Sequence, residues 1–309
     1  MKKRLLSLLI LAGISAWYYY TENQEQNKPE TGKSAHARQV AKSDNPVLPV
    51  TVSNAYKPSG NKKATAICSW NIRDLGQSKN AQEIAYMAEM LRNFDIVTIQ
   101  EVTTSASGAQ AVARLADELN RKGFKWDYRI SDPTTGDGPE RYAYLWKTAR
   151  AKLVGKPWLF EPLSEKIDRE PYLARFQVGP AKLLIASFHA VPTSKDPEKE
   201  IVLLDDIHHT YADENVLIMG DFNLDGDREA FNDLKVLGYR QLLTDQKTSY
   251  KMKIKDGEHL SQEYDNLFYE GDVFTIDYLG VIDFAGAFPD LKAARKISDH
   301  LPVWAEVEW

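Results

Sequence analysis

From Ala64 onward the chain alternates apolar runs with short polar breaks, and most runs are too short and too rich in β-branched or aromatic residues for helices. ATAICSW (64–70), DIVTIQ (95–100), KWDYRI (125–130), RYAYLWK (141–147), YLARFQV (172–178), KLLIASF (182–188), NVLIMG (215–220), NLFYEG (266–271) and VWAEVEW (303–309) read as strands. Three other segments place apolar residues at helical spacing. In NAQEIAYMAEMLRNF (80–94), Ile84, Met87, Ala88 and Leu91 fall at i, i+3, i+4 and i+7. In DPEKEIVLLDDIHHTY (196–211), Ile201, Leu204, His208 and Tyr211 share one face, and GAQAVARLADELNRK (108–122) is the third. Strands with helices spread between them predict an α/β (α+β) fold of two mixed sheets packed face to face and flanked by helices.

Before Ala64 neither period appears. Lys2, Lys3 and Arg4 precede the apolar stretch Leu5–Ala16, which is the shape of an export signal. Gly13-Ile14-Ser15 offers a small-x-small cleavage site, whereas Trp17 and Tyr18–Tyr20 suit a membrane interface. Residues 1–20 therefore read equally as a cleaved signal peptide or a signal anchor, and the apolar part falls short of the ~20 residues that span a bilayer. Residues 21–62 are polar, with Lys, Asn, Gln, Ser and Pro, and read as a flexible linker; residues 63–309 read as one domain. The expectation is an exported monomer: periplasmic, secreted, or tethered to the outer face of the membrane through residues 5–20.

Charge narrows what the domain can bind. Lys plus Arg number 39 against 44 Asp plus Glu, giving a net charge of −5. A protein that attracts polyanions through its overall field is ordinarily basic, so a phosphate substrate must be held by a local groove or a metal. This counts against a passive DNA-binding module, not against a metal-dependent hydrolase. The single cysteine, Cys68, allows no intramolecular disulfide, and its apolar surroundings mark an inert thiol.

The chemistry gathers where strands end. Asn71 follows the first strand, Gln100 and Glu101 end the second, His189 follows KLLIASF, and Asp221 and Asn223 follow NVLIMG; Asp299 and His300 precede the last strand. One such residue is ordinarily a turn or cap residue. Acids, amides and imidazoles at five strand ends instead imply a shared site. The stretch Asp221–Gly226 also has the D-x-N-x-D-G spacing of a calcium loop, but the twelfth position is Asn232 rather than Glu and a strand-like run precedes it. Asp225 and Asp227 read as caps for the following helical segment 227–234. His208 and His209 read as surface or core-edge residues, and His36 and His259 as linker and loop residues.

In this order NIR, QE, FH, GDFN and SDH resemble the endonuclease/exonuclease/phosphatase superfamily. Glu140-Arg141-Tyr142, Arg169-Glu170-Pro171 and Tyr264-Asp265 extend the resemblance to its deoxyribonuclease I-like branch. The resemblance covers residues 64–309 and implies a four-layer sandwich with the active site at one rim. It further implies that Glu101, with Asn71 and Asp299 beside it, binds one or two Mg²⁺ or Mn²⁺ ions. His300 pairs with Asp265 and His189 with Glu140, as general base and general acid respectively. Asp221 and Asn223 face the phosphate, Arg169 contacts its oxygens, and Thr248 stands where the family often has a phosphate-contacting hydroxyl; Arg73 reads as a surface charge or a backbone-phosphate contact. Those residue types suit in-line phosphodiester cleavage: imidazole exchanges protons near neutrality, and oxygen ligands favour Mg²⁺ or Mn²⁺ over zinc.

The chain departs from that branch at two places. Thr103 stands where an arginine enters the DNA minor groove, and Gly138 where a tyrosine packs on the sugar–base edge. The expected function is therefore an exported, metal-dependent phosphodiesterase, with DNA as the leading substrate. A phosphoesterase acting on lipid headgroups or inositol phosphates is the alternative, and a noncatalytic binding protein on the same fold the third reading.

Overall fold

The computed structural model of the chain describes residues 56–309; the export segment and linker residues 21–55 lie outside the described residues. In chain order the first strands are β1 (Ala64–Leu75), β2 (Ile96–Val102), β3 (Trp126–Ile130), β4 (Arg141–Lys147), β5 (Lys152–Leu159), β6 (Tyr172–Val178) and β7 (Ala181–His189). They continue with β8 (Val216–Asp221), β9 (Arg240–Gln241), β10 (Tyr250–Lys255), β11 (Glu258–Leu260), β12 (Asp265–Tyr269), β13 (Thr275–Val281) and β14 (Val303–Glu308). The helices are α1 (Ala81–Leu91), α2 (Ala106–Arg121), α3 (Glu198–Ile201), α4 (Asp205–Thr210), α5 (Asn232–Val236) and α6 (Leu291–Ala294).

One sheet runs β13-β14-β1-β2-β4-β3, the other β5-β6-β7-β8-β12-β9, and β10-β11 forms a separate ribbon. Ile67 of β1 points between the sheets, while Cys68, Trp70 and Ile72 turn outward onto Ile84, Met87 and Leu91 of α1 and Val112 and Leu115 of α2. In the second sheet Ile185, Leu217 and Met219 point inward, and Leu184, Phe188 and Ile218 turn outward onto Ile201, Leu204 and Ile207. The result is the expected helix–sheet–sheet–helix sandwich. Both faces of the central strands are buried, which is why they read as continuous apolar runs without alternation. Cys68 is fully buried, and burial pushes its thiol pKa up, in keeping with an inert side chain.

Local signals explain the element ends. Asn80 and Glu83 form a reciprocal capping box at the start of α1. The helix expected over 196–211 is instead two short pieces, α3 and α4, and its buried stripe is Ile201, Leu204 and Ile207. That spacing of three matches tighter turns, and His208 lies half-buried and His209 exposed. Asp225 and Asp227 do not cap the turn that follows: it starts at Arg228 without a side-chain cap. Toward the linker, Tyr56 is buried, stacks on Phe94 with centroids 4.5 Å apart and donates to Glu306, so the chain lies against the domain from there.

Topology sets the rim. The parallel pairs β1–β2 and β7–β8 each deliver two strand ends to one edge of their sheet. Antiparallel neighbours begin where those end: Asp265 of β12 lies opposite Asp221, Arg141 of β4 opposite Val102, and Val303 of β14 opposite Ser69. Residues far apart in sequence are therefore gathered by strand direction alone.

Candidate active site

Two backbone irregularities aim the side chains at this rim. Register shifts interrupt β1 between Asn71 and Leu75 and β2 against β4 between Ile99 and Val102. Within the second shift Glu101 has φ 59, a left-handed conformation that costs about 1–3 kcal/mol in a non-glycine residue. The bulge turns the Glu101 carboxylate to the rim, where Oε1 accepts from Asn71 Nδ2 at 2.9 Å and Oε2 from the Asp74 amide at 3.1 Å. Asn223 is also left-handed, at φ 50, within a turn in which its amide donates to Asp221 Oδ1 and its Nδ2 to the Ala190 carbonyl.

Both expected histidine–carboxylate pairs are formed, and each spans the two sheets. His189, ending β7, places Nδ1 2.9 Å from Glu140 Oε2, whose residue leads into β4. His300, before β14, places Nδ1 2.8 Å from Asp265 Oδ2 at the start of β12. Both Nε2 atoms stand 3.5 Å from one oxygen, Asp221 Oδ2. Asn71 Nδ2 donates to that oxygen at 2.9 Å. A carboxylate on Nδ1 fixes each ring so that Nε2 faces the reaction space.

Electrostatics follow from burial among these acids. Desolvation opposes a charge on His189 and Arg169 repels it, yet Glu140 and Asp221 leave its pKa above the ordinary value. Desolvation is likewise the largest influence on His300, and Asp265 and Asp221 overcome it, raising the pKa well above 6.5. Burial pushes Asp265 up to about 6, against the pull of His300. In the free site these groups hold protons more tightly than isolated side chains do.

Other expected contacts fall elsewhere. The Thr248 hydroxyl bonds Asp265, donating to Oδ2 at 2.7 Å and accepting from the Asp265 amide at 2.8 Å. Arg169 is buried behind Glu140, with Nε 3.3 Å from Oε2 and NH1 3.0 Å from the Ala190 carbonyl. Asp299 turns to Arg295 at 2.9 Å and Arg73 at 3.5 Å, and the contacts it makes do not include Glu101 or Asn71. Arg73 is half-exposed at the edge of the site. Thr103 folds back onto Ser105, with their hydroxyls 3.2 Å apart.

Several supports escaped the sequence reading. Ser298 Oγ donates to the Asn71 carbonyl at 2.6 Å and accepts from the His300 amide at 3.0 Å. Trp70 Nε1 donates to the His300 carbonyl at 2.9 Å, and Tyr264 stacks near the His300 ring at 6.4 Å. Gln100 Nε2 donates across the sheets to Ser187 Oγ at 2.7 Å. A small hydroxyl inside an SDH run and a glutamine beside the strand-end Glu101 were the available signals.

A divalent cation fits this rim. Asn71 Oδ1 is buried without a hydrogen-bond partner, beside the partly exposed Glu101. An unpaired buried carbonyl oxygen next to a carboxylate is the donor chemistry of Mg²⁺ or Mn²⁺. Asp221, Asp265 and His300 also offer ligand atoms within 4.8 Å of one another. Their atoms already serve the His300 pair, so Glu101 and Asn71 are the better-suited donors.

Comparison with known proteins agrees with this geometry. Residues 68–300 match the model of the Endonuclease/Exonuclease/phosphatase family. Deoxyribonuclease-1-like 1 of Sus scrofa is 26% identical over 269 residues, spanning 81% of this chain and 82% of that protein. A protein named Deoxyribonuclease from Thioalkalivibrio sp. (strain K90mix) is 28% identical over 273 residues, spanning 81% and 73%. Among solved structures, an endonuclease/exonuclease/phosphatase family protein from Leptotrichia buccalis C-1013-b superposes with a TM-score of 0.59, at 16% identity, covering 80% of this chain and all of that one. D. rerio TDP2 in complex with a single-strand DNA product gives 0.57 at 17% identity, covering 80% and 99%. At these identities the structures speak for the fold.

Proposed function

Because the chain belongs to the endonuclease/exonuclease/phosphatase family, in its deoxyribonuclease I-like branch, we propose that it is an exported, monomeric endonuclease that hydrolyses phosphodiester bonds of DNA with Mg²⁺ or Mn²⁺. The observation that carries this reading is the convergence of His189 and His300, each backed by its own carboxylate, on Asp221 Oδ2. Hydrolysis of a diester needs one group to take a proton from water and another to give one to the leaving oxygen.

His300, oriented by Asp265, takes the proton of the attacking water, and His189, oriented by Glu140, protonates the leaving oxygen. Desolvation disfavours charge on His300, but Asp265 and Asp221 outweigh it and raise its pKa, so neutralising that negative charge makes it a readier base. Asp221, between the imidazoles, helps align the water on the His300 side, and Asn223 sets the turn that presents it. Glu101 and Asn71 would hold the cation, which would supply charge neutralisation to the reacting phosphate. Arg169 positions Glu140, Thr248 positions Asp265, and Arg73 meets the substrate at the edge.

The relatives named as deoxyribonucleases favour DNA over other phosphoesters. The test is nicking of supercoiled plasmid with Mg²⁺, with and without chelator, beside release of phosphate from inositol phosphates. Chelator-sensitive nicking is expected. Intact plasmid, linear DNA and RNA alongside hydrolysed inositol phosphate would overturn the nuclease reading. Export and the tether at residues 5–20 are tested by the N-terminal residue of protein recovered from cells.

A further inference from the structure

The β10–β11 ribbon is a built element outside the catalytic set. Asp256 and Gly257, at φ 55 and φ 80, make the two-residue turn favoured in hairpins, with Lys255 paired to Glu258. Along β10, Lys251, Lys253 and Lys255 interleave with Met252 and Ile254, and the register against β11 shifts between Tyr250 and Lys255, leaving residues 252–255 all exposed. Met252 and Ile254 are 77% and 62% exposed, so the ribbon's outer part packs little against the domain.

Its base is held firmly and at the site. The Tyr250 amide donates to the Asp299 carbonyl at 2.7 Å, and Ser249 bridges to His300. Asp283 accepts from the Tyr250 hydroxyl at 2.9 Å and pairs with His259 Nε2 at 2.5 Å. Arg295 NH1 donates to the Tyr250 carbonyl at 2.6 Å. A ribbon fixed at the catalytic loop and free at its tip, with β10 reaching about 20 Å at ~3.3 Å per residue, is an arm.

We propose that this arm grips the polymeric substrate, its three lysines taking the phosphates of a DNA duplex beside the cut site. The inference rests on the nuclease reading above. In a chain of net charge −5, three lysines within five residues of one ribbon are a local concentration of positive charge suited to a polyanion. The acids Asp256 and Glu258 are confined to the turn and the return strand. A two-stranded ribbon also has the width that a DNA major groove admits. The strand that carries the lysines starts at Tyr250, bonded to Asp299, which favours a substrate extending from the site over an occupant, such as a membrane, that would bind apart from it.

The test compares the full chain with its Lys251→Gln/Lys253→Gln/Lys255→Gln variant. For plasmid the KM should rise at least about 10-fold with kcat within twofold, while hydrolysis of bis(p-nitrophenyl) phosphate stays unchanged. Binding of a fluorescent duplex in chelator should show its salt slope reduced by two to three, at about 0.9 per phosphate contact. Unchanged plasmid KM and unchanged slope would overturn the proposal. If the wild-type chain cuts no DNA, the nuclease reading fails separately, and the duplex-binding slope still decides the arm. Lost affinity for phosphatidylserine vesicles with duplex binding intact would also overturn it, in favour of a membrane contact.

Discussion

His189 and His300 share one carboxylate oxygen: each Nε2 stands 3.5 Å from Asp221 Oδ2. That distance is long for a hydrogen bond, and it leaves the two ring nitrogens facing a gap no wider than twice that span. Replacing either ring by alanine should lower plasmid turnover at least about 10²-fold, with thermal unfolding showing that each variant still folds. Near-full activity of both variants would remove the two-histidine mechanism.

The cation is testable without activity. Mg²⁺ or Mn²⁺ should raise the thermal midpoint of the wild-type chain, by the equivalent of about 2.7 kcal/mol when the ion is at 100 times its Kd. Glu101→Gln and Asn71→Ala should abolish most of that shift. A wild-type midpoint indifferent to both ions would contradict the assignment to this rim.

The His189–Glu140 contact should leave a signature in stability against pH. The folded pKa of His189 is raised above the unfolded value of about 6.5. Its contribution is therefore complete below that pH and fades as pH rises through the folded value. The midpoint difference between wild type and His189→Gln should be larger at pH 6 than at pH 9. A difference that grows with pH would reverse the sign of the argument.

Gly220 is a structural requirement of the same strand. At φ 148, a Cβ there would lie 1.9 Å from the Phe188 carbonyl oxygen of the neighbouring strand. Gly220→Ala should destabilise the fold by about 3 kcal/mol or more, combining backbone strain with overpacking. Urea unfolding measures it, and a loss below about 1 kcal/mol would show that the strands part easily.

The parts of the fold legible in sequence were those buried on two faces. β1, β2, β7, β8 and β12 carry continuous apolar runs because helices cover one side and the opposite sheet the other. β5 and β13 escaped notice as edge strands: Gly155 and Pro157 interrupt the first, a pattern tolerated at an edge. The ribbon was missed although Asp256-Gly257 between alternating residues is a hairpin signal. At the site, His189, His300 and their carboxylates were legible because residue type and strand position agreed. The partners of Thr248, Arg169 and Asp299 were not legible, because they depend on loops that strand patterning does not describe.

Each histidine sits with its carboxylate across the gap between sheets, and His300 lies just ahead of the strand that closes beside β1. A partly synthesised chain can thus own every residue up to Asp265 and still lack a working pair of imidazoles. Both imidazole–carboxylate pairs exist only once the segment around residues 298–308 has been made and docked against the earliest strand.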